Sequence, residues 1–186
     1  MRKQRLIPVV MLFILSSALA IYCQTQSRVG SGVVSSGYAK ILYESGDTLR
    51  LFNKRITLDF LGSLLRSRIE KELSVNGQVS EKIDAIVERV KTVLDMRPQK
   101  FSFSLYILPD ADQVRALYKR KYYREVEFIA FYAPAEKAIY IAADTAKSVV
   151  LAHEIAHAII DQYFGVAAPE KIHELLAQYV EENFEE

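Results

Sequence analysis

Cysteine is almost absent: Cys23 is the only one in 186 residues. No intrachain disulfide can form, so the folded part relies on its core or on a metal. A large charge of one sign is missing too. The formal net charge is +1, and without Arg2, Lys3 and Arg5 of the first twenty residues the remainder carries −2. That leaves no electrostatic footprint for nucleic acid. Nor is there a disordered composition, since 51% of residues are apolar and 25% charged. The length suits one domain with room for one added element, and no internal repeat is present.

The amino terminus reads as an export segment. Met1 to Arg5 brings three positive charges, Leu6 to Leu15 an apolar stretch, and Ser16-Ser17-Ala18-Leu19-Ala20 a small-x-small ending. Apolar character continues to Cys23, so an uncleaved anchor is the competing reading. Lipidation of Cys23 is disfavoured because the bulky Tyr22 precedes it. With a signal peptide or an anchor alike, the basic end stays inside and the bulk of the chain crosses. The expected location is periplasmic or extracellular, or anchored facing away from the cytoplasm. The membrane is a partner only if residues 1–23 stay attached. His and carboxylate metal ligands suit such an oxidising compartment better than thiols do.

Residues 24–37 are rich in Gly and Ser and read as a linker. Residues 38–100 form an expected N-terminal hairpin and helical region. Its short hairpin turns at Ser45-Gly46-Asp47, a helix spans Thr57 to Val75, and Asn76-Gly77 breaks it. A second helix then runs from a Ser80 cap to Leu94. This helix pair serves as lid, partner-binding element or support. Residues 101–186 form the expected second domain. Phe101–Leu108 alternates as a strand, and Pro109-Asp110 opens a helix to Tyr123. Glu127–Tyr132 and Ala138–Ala142 are strands joined at Pro134–Lys137. Asp144 or Thr145 caps a long helix to Phe164. Gly165 stops it, and Pro169 starts another to Phe184. The class is α+β, with a small antiparallel sheet followed by a helix pair. Arg115, Lys119, Arg120, Lys121 and Arg124 make a basic run, read as a solvated helix face with contact to anionic lipid as the alternative.

The chemistry sits at 153–157, His-Glu-Ile-Ala-His. Two histidines four apart lie on one helix face, so both rings converge on one metal ion. Glu154 sits beside them as a proton acceptor that need not bind the ion. Zinc is the expected cofactor, one ion, because it lowers the pKa of water to about 7 and polarises a carbonyl. At this chain's His and Glu content, chance yields such a pattern in about 4 of 1,000 chains. The apolar flanks Val149–Ala152 and Ala158–Ile160 bury the helix, where two His and a Glu are costly without partners. The bland alternative is a core helix whose polar groups find ordinary hydrogen bonds.

An open catalytic site needs a third protein ligand. His157 lies about 10.5 Å from the helix end at Phe164, and on an antiparallel helix from Pro169 Glu174 lies about 7.5 Å along. Glu170, about 1.5 Å along, and Glu181, about 18 Å along, miss that level. Asp161 would have to bend back, and reads as solvated or as outer support. His173 is rotated about 100° from Glu174 and does not share its direction. Glu174 is therefore the expected third ligand.

HEIAH, a Gly/Pro break and then Glu174-Leu175-Leu176-Ala177-Gln178-Tyr179 resemble the gluzincin metallopeptidases, above all their small single-domain members. The resemblance covers 101–184 and is specific in 149–180. It implies a zincin-like fold and a zinc peptidase with Glu154 as general base and His153, His157 and Glu174 as ligands. It also implies an extended peptide or protein substrate, paired with an edge strand at Ala138–Ala142. Ala177 would let the two helices approach closely. The chain departs from the family at Gln178, where several members have an Asp that supports a ligand histidine. A transition-state donor is not evident. Tyr132, Tyr140 and Tyr163 are candidates by type, while Tyr179 is expected to pack in the core. Two other functions stay open. One is a non-catalytic peptide- or protein-binding module on the same scaffold, the other a zinc hydrolase of non-peptide bonds.

Overall fold

The computed structural model describes residues 32–165 and 169–185. The expected export segment, Cys23 and linker residues 24–31 lie outside them. Among the described residues no helix is long and apolar enough to cross a membrane.

Five strands form one sheet: β1 (Gly32–Ser35), β2 (Ala39–Tyr43), β3 (Phe103–Leu108), β4 (Ala130–Ala133) and β5 (Ala138–Ala142). Their order is β1-β2-β3-β5-β4. Six α-helices are described: α1 (Gly46–Arg55), α2 (Ser63–Glu72), α3 (Val75–Leu94), α4 (Ala111–Tyr122), α5 (Ser148–Phe164) and α6 (Glu170–Asn183). One sheet face and helices α1, α3, α5 and α6 enclose the main core, with Ile41, Leu105, Ile139, Ile83, Ile155 and Phe184 among its members. On the other face Val114 and Leu117 of α4 cover Phe131, Ala133 and Tyr140.

The sheet is mixed, a correction to the antiparallel sheet expected. β1–β2 and β4–β5 are antiparallel, but β2–β3 and β3–β5 are parallel. Apolar alternation marks a strand and says nothing of its direction. Parallel neighbours need a long crossover, which α1–α3 supply for β2–β3 and α4 with β4 for β3–β5. A second correction concerns the edge. Ala138–Ala142 is buried at every position and sits between β3 and β4. An unbroken apolar run of this kind marks an interior strand. The free edge on that side is β4.

Local capping explains the remaining differences. Ser45 does not turn a hairpin; its Oγ accepts the Thr48 N–H at 3.2 Å and caps α1. The hairpin is β1–β2 and takes residues 32–37 out of the linker. Ser36 Oγ accepts the Ala39 N–H at 2.9 Å, and the Asp84 carboxylate of α3 accepts the Gly37 N–H at 2.8 Å. The helix expected over 57–75 spans only Ser63–Glu72. Ser74, not Ser80, caps α3, so Asn76-Gly77 falls in a first turn whose N–H groups have no intrahelical partner anyway. At α5 neither Asp144 nor Thr145 caps: the cap is Lys147, without a side-chain bond. Ser148 instead bridges to Thr57, accepting from its N–H at 2.9 Å and donating to its C=O at 2.7 Å. Gly165 ends α5 in the left-handed region at φ 66°, as expected.

The end of α6 is tied down twice. Phe184 is buried, edge-on to Phe60 at 5.0 Å. Arg89 of α3 donates to the C=O groups of Phe184 at 2.8 Å and Asn183 at 2.6 Å, groups that α6 itself leaves unsatisfied. Phe184→Ala should therefore cost about 3–5 kcal/mol and lower the thermal midpoint by about 10 °C. An unchanged melt would show that α6 is held by other contacts.

Candidate functional site

α5 is apolar nearly all round because it touches the sheet, α3 and α6 together. His153, Glu154, His157 and Asp161 are the polar exceptions that face one cavity. His153 Nε2 and His157 Nε2 lie 3.0 Å apart, as the one-turn spacing demands. Glu174 enters from α6, with Oε2 3.8 Å from His153 Nε2 and Oε1 3.5 Å from His157 Nε2. One donor atom from each of the three lies within 4.8 Å of the others, so this group could hold a metal ion. Tetrahedral ligands at about 2.0–2.1 Å from an ion would stand about 3.3 Å apart, and the observed separations bracket that value. The rings are mostly buried, and the Glu174 side chain is about half exposed.

The electrostatics suit the same use. Burial, and then the neighbouring His153 and His173, lower the His157 pKa to about 4. The ring is therefore neutral at neutral pH, the form that binds a metal. Glu154 is buried between α5 and β4. Burial raises its pKa to about 8. A bond from the Tyr132 backbone opposes the rise, and the negative charges of Glu174 and Glu181 add to it.

Glu181 was set aside on axial level, yet its Oε1 stands 2.6 Å from His153 Nδ1. The contact is close but poorly aligned, so Nδ1 is left without a well-formed hydrogen bond. The spacing was readable. His153 lies about 16.5 Å from the end of α5, and Glu181 about 18 Å along the next helix, so the two are level. Glu174 and Glu181 are seven residues apart, two turns of one stripe. The carboxylate beside His153 Nδ1 is thus Glu181, three residues after Gln178.

The surrounding cavity has a volume of about 520 Å³. His173 lines it, its ring stacked on His157 at 5.7 Å and 20°. Glu170 reaches its rim, Asp161 its wall. Of the tyrosine candidates only Tyr132 is there, and its hydroxyl donates to Asp161 Oδ2 at 3.0 Å. Tyr140 lies on the other sheet face, donating to Glu136 at 2.5 Å. Tyr163 is half exposed near the end of α5, edge-on to Phe164. Tyr179 is half exposed as well and does not enter the core, because its side of α6 faces solvent while Ala177 and Val180 face inward. Ala177 is fully buried. The basic run is largely paired: Arg115 with Asp112 and Glu127, Lys119 with Glu125, and Lys121 with Glu136.

These shifts give the metal-free protein a pH signature. Folding raises the Glu154 pKa from 4.5, so stability falls as pH rises between 4.5 and about 8. Folding lowers that of His157 from 6.5, so stability rises with pH between about 4 and 6.5. Above 6.5 only the Glu154 effect remains. Urea unfolding with a chelator present should show stability falling, on the order of 1–2 kcal/mol, from pH 6.5 to 8, and Glu154→Gln should flatten that slope. An equal slope in the variant would show that Glu154 is not a buried acid.

Comparison with protein-family models, with curated proteins and with solved structures finds no match to this chain.

Proposed function

We propose that this chain is a zinc-dependent peptidase of gluzincin type, with one zinc ion held by His153, His157 and Glu174. The convergence of these three side chains in a cavity bordered by Glu154 and an open strand edge carries the reading. When bound, zinc supplies a lowered pKa for water and polarisation of a carbonyl. Glu154 receives the proton of the attacking water at its carboxylate. A base whose affinity for protons is raised by burial is matched to work near neutral pH, and a neighbouring dication would draw that affinity down again.

β4 orients the substrate. Ala142 N–H donates to Ile129 C=O at 2.9 Å, which makes 129–142, 131–140 and 133–138 the bonded pairs of the ladder. The N–H and C=O groups of Ala130 and Tyr132 therefore point away from β5. The Tyr132 backbone lies beside Glu154 and lowers its proton affinity. The remaining groups are placed to pair with an extended chain, bringing its peptide bond to the base. The tether to a membrane, or export, rests on the first 23 residues alone.

The full chain should bind one zinc ion, and Glu174→Ala should lose it. Glu154→Gln should keep the metal while peptide hydrolysis drops about 10³-fold or more. Retained activity in that variant would reject Glu154 as the base. Glu181→Ala should weaken zinc affinity about 10- to 100-fold in competition with a chelator, and Glu181→Gln less so. Unchanged affinity would remove Glu181 from the support of His153.

A further inference from the structure

The cavity does not stop at the metal-ligand cluster. It wraps around the free edge of β4 and continues onto the opposite sheet face, where Tyr118, Phe128, Phe131 and Pro134 line it. The two halves belong to different cores: Ala130 lies with the α5 side and Phe131 with the α4 side. We infer that this aromatic bay is a side-chain subsite for an extended peptide carrying a large aromatic or aliphatic residue.

Strand geometry makes the connection. A chain paired to the outward groups of Ala130 and Tyr132 alternates its side chains between the two sheet faces. A residue whose side chain turns toward the histidines has neighbours that turn toward the bay. The bay is built for such a guest. Phe131 is fixed within a stacked row, 4.9 Å from Tyr140, which in turn stands 4.7 Å from Tyr106. Tyr118 meets Phe131 edge-on at 5.0 Å and Phe128 at 5.5 Å. Together these rings make a rigid floor and wall of apolar surface. Phe128 is the exception to burial, 48% exposed on the irregular segment between α4 and β4. A large apolar side chain in that position, open to the cavity, has surface left for a guest ring to cover. Tyr118, Phe128, Phe131 and Pro134 place no charged side chain in the bay, so an apolar guest fits it.

The inference rests on the peptidase reading for the path of the chain, but binding tests it without turnover. The probe is a fluorescent octapeptide of Ser, Thr and Ala with one central Phe, compared with the same peptide carrying Ala there. It is titrated into the full zinc-loaded chain bearing Glu154→Gln. The Phe peptide should bind about 10- to 100-fold more tightly, the range expected for one large apolar side chain taken into a pocket. Adding Phe128→Ala should cut that ratio to about threefold or less, and Phe128→Leu should restore part of it. Leu175→Ala, which removes an exposed side chain of α6 that does not line the cavity, should leave the ratio unchanged. A full ratio in the Phe128→Ala protein, or no preference for Phe in the parent, would overturn the subsite. Binding with this preference but no cleavage by the wild-type chain would overturn the peptidase reading and leave the subsite standing.

Discussion

The register between α5 and α6 governs everything else at the site. Two helices from neighbouring stretches of chain pack antiparallel, with Ala177 buried between them and Phe184 locking the far end against Phe60. That packing sets Glu174 level with His157 and Glu181 level with His153. A shift of one residue along α6 would move both carboxylates by about 1.5 Å and rotate them by about 100°. The site is thus a consequence of core packing far from it. Arg89, holding the last carbonyls of α6, belongs to the site's architecture although it never approaches the cavity.

Burial gives the cluster its chemical character. The His157 imidazole and the Glu154 carboxyl group, placed in an apolar helix, are pushed toward their neutral forms, as their opposed shifts express. A neutral His157 ring is in the form that can ligate, and a carboxyl group with raised proton affinity is in a form that can accept a proton. The cost of that burial falls on folding, and a bound cation would offset it, so metal binding and stability are linked here. The edge strand completes the arrangement. The Tyr132 backbone of β4 lies against Glu154, and the outward groups of the same strand form the free edge of the sheet.

Much of the site could be read before the fold was known, because helix periodicity is a strong constraint. The His153–His157 pair needs only a four-residue spacing, and Glu174 needs only a rise of about 1.5 Å per residue across a Gly/Pro break. Glu181 escaped because its level was compared with the metal and not with the outer nitrogen of His153. The fold was less legible. Strand positions followed from alternation, but parallel pairing and the edge role of β4 depend on which elements lie alongside, which no local pattern records. Ser45-Gly46-Asp47 suits a hairpin turn and a helix cap equally well. Only the later chain, through Asp84 reaching the Gly37 N–H, decides where the hairpin lies. β1 was hidden in a Gly/Ser-rich stretch because Val34 alone of its four residues is fully buried.

The most direct test is the zinc X-ray absorption spectrum of the metal-loaded full chain. Two imidazole nitrogens and a carboxylate oxygen at about 2.0–2.1 Å are expected, with one further light ligand. The outer-ring scattering of two histidines should persist in Glu154→Gln and be absent from Glu174→Ala, which does not retain the ion. A shell of water oxygens without histidine scattering, or a spectrum indifferent to Glu174, would contradict the proposed centre.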